Sequence, residues 1–289
     1  MTLQTFTNAM EKAKNLLQFA GIDEPQREAR LLLSYVTGLP MSRIFTNLDT
    51  ELNSVEHKAF DGLVSRRLNH EPISHLLGTR EFWSLNFLVG PQVLDPRPAS
   101  ETLVETAFKY FNDQNASFSV LDLGTGSGCL VLSVLSERPH AGGLGIDVSS
   151  AALGIARQNA IVHSLSERVS FKYGDWAKNL DGEFDLILCN PPYIAAHEMN
   201  NLASGIINFE PSIALSGGVD GLSAYRKLSD DIAKLLSPKG IAIIECGQGQ
   251  SESVSKILKK VGLTQIDTNK DISGITRCGV FSKILTTTK

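Results

Sequence analysis

The sequence predicts an α/β protein, with a doubly wound, mostly parallel seven-stranded sheet of Rossmann-like type preceded by a small helical bundle and a linking β-hairpin. Three observations carry that expectation. After Phe118 the chain alternates short apolar strands with helical segments, a glycine-rich loop from Asp122 to Gly128 follows the first of those strands, and before His70 the only periodicity is helical. The 289 residues are 42% hydrophobic, enough to bury a sizeable core and more in keeping with two domains than one.

The first helical stretch, within a region read as helical from Thr2 to about His70, sets Phe6, Met10, Ala13, Leu16, Leu17 and Ala20 at helical spacing and stops at Gly21. Asp23 with Gln26 reads as a capping box for a second helix that ends at Gly38-Leu39-Pro40, and Asn53 with Glu56 opens a third that closes near Asn69. From Ile73 to Val93 the alternation of Leu85, Phe87 and Val89 predicts the hairpin. Leu94 to Pro98 predicts an extended connector beside the cleft, then a helix from Ser100 to Tyr110. Strands follow at Val120–Leu123, Leu144–Ile146, Val169–Tyr173, Phe184–Cys189 and Ile241–Ile244, with helices at Cys129–Arg138, Ser150–Asn159 and Tyr225–Leu236. Thr264–Thr268 and Cys278–Ile284 have no long helix between them and predict a closing antiparallel pair at one edge.

A formal net charge of -4 supplies no global basic field for nucleic acid. Cys129, Cys189, Cys246 and Cys278 are scattered without a C-x-x-C pair and read as reduced. The six histidines lack metal-ligand spacing, so no metal is expected. No stretch approaches a membrane span or a signal peptide, and the cytoplasm is the expected address.

The chemistry concentrates in Phe184 to Tyr193, F-D-L-I-L-C-N-P-P-Y. An apolar run typical of a strand buried on both faces stops at Asn190-Pro191-Pro192, where proline rigidity fixes the direction of the Asn190 amide and the Pro191 carbonyl. Two fixed carbonyls beside the Tyr193 ring suit a planar NH₂ group, the carbonyls accepting its hydrogens and the ring packing on its plane. The loop Gly124-Thr125-Gly126-Ser127-Gly128 has Cys129 where a nicotinamide fingerprint needs glycine, so it reads as a site for a ligand with an amino-acid end. Asp147, ending the second strand, is placed to accept both ribose hydroxyls of a nucleoside, and Trp176 after the third strand to pack against an adenine.

Taken together with Gly78-Thr79-Arg80-Glu81-Phe82-Trp83, Pro96-Arg97-Pro98 with Glu101, and Phe209-Glu210-Pro211, these motifs resemble the release-factor glutamine methyltransferases, HemK/PrmC-like members of the class I S-adenosylmethionine-dependent methyltransferases. The resemblance runs nearly the whole length, with departures at Asp95, Ala99 and Ser100, where the family reads L-I-P-R-P-E-T-E. It implies S-adenosylmethionine as cofactor, contacted by Gly124 to Gly128, Asp147, Trp176 and Asn190, and a glutamine side chain held by Asn190, Pro191, Pro192 and Tyr193. It also implies class-1 peptide-chain release factors as partners, presenting the glutamine of a Gly-Gly-Gln loop. The expected domains are residues 1–72 for substrate recognition, 73–98 as hairpin and linker, and 99–289 for cofactor binding and catalysis. The competing readings are a ribosomal-protein glutamine methyltransferase, a nucleic-acid adenine-N6 methyltransferase sharing Asn-Pro-Pro-Tyr, and a non-catalytic binding module. Asn190, Pro191 and Tyr193 are the expected catalytic residues, and Glu245 is a candidate for orienting them.

Overall fold

A computed structural model describes residues 4–283; Thr2 and Ile284, which bound two of the expected elements, lie outside it. The chain divides into two compact units, one made of the residues up to Gly78 with Ala203–Phe209, the other of Thr79–Leu202 with the chain from Glu210 onward.

The first unit opens with α1 (Phe6–Phe19), α2 (Pro25–Thr37), α3 (Met41–Thr46), α4 (Ser54–Leu68) and α5 (Ile73–Leu77). Phe6, Leu17, Leu32, Leu33, Ile44 and Phe60 meet in its core. The Asn53–Glu56 capping box is present, with Asn53 Oδ1 accepting from the Val55 and Glu56 amides at 2.9 Å each and Glu56 Oε2 accepting from the Asn53 amide at 2.9 Å. The expected Asp23–Gln26 box is not. Glu24 is the N-cap, makes no side-chain cap bond, and is followed by Pro25, whose fixed φ starts the helix and whose nitrogen has no hydrogen to cap. Ile73–Leu77, expected in the hairpin, is a short helix between Pro72 and a left-handed Gly78.

The second unit begins with β1 (Thr79–Phe82) and β2 (Leu85–Leu88), an antiparallel hairpin turned by Trp83 and Ser84, both at positive φ (51° and 58°). Such a turn ordinarily uses Asn-Gly. Here Glu101 Oε1 accepts from the Trp83 amide at 2.8 Å, and the indole lies 5.7 Å from the Phe108 ring, which together hold a bulky residue in that conformation. Then come α6 (Glu101–Tyr110), β3 (Ser119–Leu123), α7 (Cys129–Glu137), β4 (Gly142–Asp147), α8 (Ser150–Val162), β5 (Val169–Tyr173) and β6 (Phe184–Cys189). The short α9 (Ala196–Met199) and α10 (Ser204–Phe209) precede α11 (Ser223–Leu235), β7 (Leu236–Glu245), α12 (Ser251–Lys259), β8 (Leu263–Lys270) and β9 (Thr276–Lys283). α10 falls within the Ala203–Phe209 segment of the first unit.

The seven-stranded sheet has the order β5-β4-β3-β6-β7-β9-β8, parallel except for β9, which runs antiparallel to both β7 and β8. The closing pair is therefore as expected, with no helix between its strands, while α12 lies before β8 in a stretch to which the sequence reading gave no element. Apolar side chains from both faces of the sheet, Leu186 and Leu188 on one and Ile187 and Cys189 on the other, enter separate cores. The strand order reverses between β3 and its two neighbours β4 and β6, which places a crevice at their carboxyl ends.

Candidate functional site

A cavity of about 300 Å³ opens at that crevice. Gly124, Thr125, Gly126, Ser127, Asp147, Trp176, Asn190 and Pro192 line it, so loops after β3, β4, β5 and β6 converge there. Gly128, Pro191 and Tyr193 are not in the lining. Gly128 instead caps α7 in the left-handed region at φ 81°, and a Cβ there would come 3.1 Å from Leu132 Cδ1. Residues the sequence left without a site role also line it, among them Arg97, Ser100, Cys129, Ile213 and Lys227.

One end of the cavity is organised by the glycine loop. The Gly124 and Thr125 amides both donate to the Ile146 carbonyl at 2.9 Å, tying the loop to the end of β4. Asp147 Oδ2 accepts from the Gly126 amide at 2.8 Å and Oδ1 from the Ser149 amide at 2.8 Å. Each oxygen keeps a further lone pair for a ligand hydroxyl. Trp176 sits at φ 58°, and its ring approaches the position a Gly124 Cβ would occupy to 3.2 Å, so a side chain there would crowd the indole, and Gly124 itself stands at φ 73°, where glycine is favoured. Beneath the loop, fully buried Asp122 accepts from Thr125 Oγ1 at 2.7 Å. Burial, only partly offset by that bond, pushes its carboxyl up to about 7. Among the described residues nothing hydrogen-bonds Asp122 Oδ1.

The other end is organised by Asn190. Its Nδ2 donates to Ser100 Oγ at 3.1 Å, and Ser100 Oγ donates to Glu245 Oε2 at 2.6 Å. Tyr193 donates through its hydroxyl to Glu245 Oε1 at 3.2 Å, so its ring belongs to the support of the site rather than to the lining. Glu245 is 1% exposed, and burial raises its carboxyl above the usual range while Ser100, Tyr193, Arg277 and Arg97 act in the opposite direction. Gln250 closes the arrangement, donating to the Tyr193 carbonyl at 2.9 Å and accepting from the Gly247 amide at 3.0 Å.

The connector read as extended, Leu94 to Pro98, forms a wall of the cavity through Leu94, Pro96 and Arg97. Arg97 Nη2 donates to both oxygens of buried Glu210, at 2.6 and 2.7 Å, pinning the wall to the Pro211–Ser216 loop. A sequence reading marks both motifs but not their pairing, because 113 residues separate them.

Residues 8–78 match the model of the PrmC N-terminal domain, and residues 93–229 that of the methyltransferase small domain. A release factor glutamine methyltransferase of Caulobacter vibrioides is 42% identical over 274 residues, 94% of this chain and 94% of the relative. Another, of Rhodospirillum rubrum, is 42% identical over 262 residues, 91% of this chain and 80% of the relative. The chain belongs to the release factor glutamine methyltransferase family. Its second unit has the class I methyltransferase fold. A Pyrococcus furiosus methyltransferase superposes with a TM-score of 0.51 at 18% identity, covering 69% of this chain and 90% of that one. The T. thermophilus 16S rRNA N2 G1207 methyltransferase, in complex with AdoMet and guanosine, also gives 0.51 at 17% identity, covering 71% of this family member and 50% of that chain. These two likenesses concern the fold alone. Among the described residues no helix is long and apolar enough to cross a membrane.

Proposed function

We propose that this methyltransferase transfers a methyl group from S-adenosylmethionine to the side-chain amide nitrogen of the glutamine in the Gly-Gly-Gln motif of class-1 peptide-chain release factors. The observation that carries the reading is the Asn190 amide, anchored through its NH₂ to Ser100 in the cavity that also holds the glycine loop and Asp147. An amide held by its nitrogen leaves its oxygen to accept a hydrogen from another NH₂ group.

The residues present suit S-adenosylmethionine. The crowded Gly124–Trp176 contact makes an aromatic wall for an adenine, Asp147 retains acceptor capacity for a ribose diol, and the Gly124–Gly128 turn gives close backbone approach to an amino-acid end. That cofactor supplies an activated sulfonium methyl. A carboxamide nitrogen is a weak nucleophile, so the protein's contribution is placement, worth about 7–11 kcal/mol in favourable cases. As the nitrogen gains positive charge, Asn190 Oδ1 favours the transition state over the ground state. Pro192, at the cavity wall, restricts how the acceptor amide enters. The methylated amide loses its proton afterwards, and no general base is required.

We assign recognition of the protein substrate to the helical unit, on its match to the PrmC N-terminal domain. Release factors act in the cytoplasm, the compartment this reading requires.

The test is incubation of the purified protein with methyl-labelled cofactor and an unmethylated release factor. Label in the Gly-Gly-Gln peptide, lost when that glutamine is replaced by glutamate, supports the reading. Label that is nuclease-sensitive, or that goes only to a ribosomal protein, overturns it.

A further inference from the structure

Asn190, Ser100 and Glu245 form a chain of hydrogen bonds whose polarity has only one consistent setting when Glu245 is a carboxylate. A carboxylate only accepts, so Tyr193 and Ser100 must each spend their single hydroxyl hydrogen on it, at Oε1 and Oε2 respectively. Ser100 Oγ then has nothing left to donate and faces Asn190 only as an acceptor, at 3.1 Å from Nδ2. The Asn190 amide is thereby fixed in one of its two flips, with NH₂ against Ser100 and Oδ1 turned away from it. We infer that Ser100 and Glu245 are positioning residues for methyl transfer, setting the Asn190 amide so that its oxygen, not its nitrogen, meets the acceptor NH₂.

A Glu245 protonated on Oε2, the oxygen that faces Ser100, permits the opposite setting. It donates to Ser100 Oγ, the Ser100 hydroxyl turns to donate toward Asn190, and the amide flips to present NH₂ to an NH₂ substrate. The elements around Glu245 oppose that reversal at neutral pH. Ser100 and Tyr193 donate to the charged form and Arg277 and Arg97 favour it, whereas Tyr225 donates only to the Glu245 backbone carbonyl, at 2.9 Å, and leaves the carboxylate untouched. Cys129, Cys189, Cys246 and Cys278 also face it, and burial raises all four thiols, which keeps them neutral. Arg277 is itself paired with Asp271 at 2.8 Å, so it is a shared rather than a dedicated partner. Because burial outweighs these effects and holds Glu245 above the ordinary carboxylate range, loss of the productive setting begins at a higher pH than an exposed glutamate would give.

This inference rests on the glutamine-methylation reading, and the experiment separates the two. Single-turnover methylation of a release factor is measured across pH with cofactor saturating, for the parent, Ser100→Ala, Ser100→Thr and Glu245→Gln, with cofactor Kd and circular dichroism as controls of fold. A parent that binds cofactor but leaves the release factor unmethylated removes the reading itself. With an active parent, Ser100→Ala is expected to lose up to about 10²-fold in rate, the scale of a misplaced reacting group, at nearly unchanged cofactor Kd. Ser100→Thr, which keeps the hydroxyl, restores the rate to within a few-fold. Glu245→Gln, which exchanges one acceptor for a donor at similar size, is slow. The acid limb of the parent profile disappears in Ser100→Ala, because the link to Asn190 is cut. A parent-like rate in Ser100→Ala, a Ser100→Thr as slow as Ser100→Ala, or an acid limb that persists in Ser100→Ala overturns the inference.

Discussion

The two ends of the cavity are held in different ways. At the glycine loop the bonds are local: Thr125 to Asp122 spans 3 residues, Ser149 to Asp147 spans 2, and Gly126 to Asp147 spans 21. At Asn190 they are distant: Asn190 and Ser100 are 90 positions apart in sequence, Ser100 and Glu245 145, and Tyr193 and Glu245 52. The loop's shape follows from the strand-turn-helix unit that carries it. The amide end exists only once β6, β7 and the connector before α6 have come together, so it depends on the completed sheet. Under the proposed function, binding of the cofactor and orientation of the acceptor amide are therefore expected to be separable properties.

If the ends are independent, combining Asp147→Ala with Asn190→Ala adds the two losses, and kcat/KM should fall by at least about a thousandfold. A double variant no worse than its poorer parent would show that the two ends act as one unit. Asp147→Ala alone should weaken cofactor binding by about 10- to 100-fold in calorimetry, the range for lost hydrogen bonds to a charged group, while single-turnover rate at saturation changes much less. An unchanged Kd takes Asp147 out of the site.

Asp122 gives a pH test of the local end. Its folded-state value of about 7 lies above the ordinary carboxylate value of 3.8, so the folded chain holds a proton that the unfolded chain releases between those limits. Stability is then fully present below the unfolded value and declines as pH rises toward 7. Asp122→Asn, which carries no charge, should flatten the pH dependence of thermal unfolding; an identical slope in parent and variant contradicts the assignment. The smallest effect is expected far from either end, where Asn53→Ala removes the capping box and should cost about 1 kcal/mol in unfolding of the helical unit without altering cofactor Kd.

What was legible in the sequence follows the same division. The Asn53–Glu56 box, the Gly38 stop, the glycine loop and the strand ending at Asn190 are written in neighbouring residues, and the structure has all of them. Local signals misled where two competed. Pro25 starts α2 in place of the Asp23–Gln26 box, and Pro72 with Gly78 makes α5 a helical turn inside a stretch read as hairpin. The helix α12 carried a usable signal in Val254, Ile257 and Leu258, which pack against one core at helical spacing. Ser100 as the partner of Asn190, and Tyr193 as a support for Glu245 rather than part of the cavity wall, were not legible, because no pattern in one chain pairs residues so far apart.

The most direct test of the account is the single-turnover rate of Asn190→Ala on a purified release factor, with fold verified and cofactor saturating. An amide oxygen that stabilises charge developing on the acceptor nitrogen predicts a fall of about 10²–10³, or about 2.7–4 kcal/mol, with a much smaller change in cofactor Kd. A folded, cofactor-saturated Asn190→Ala that methylates within a few-fold of the parent rate would contradict it, and would reduce Asn190-Pro191-Pro192 to a turn that ends β6.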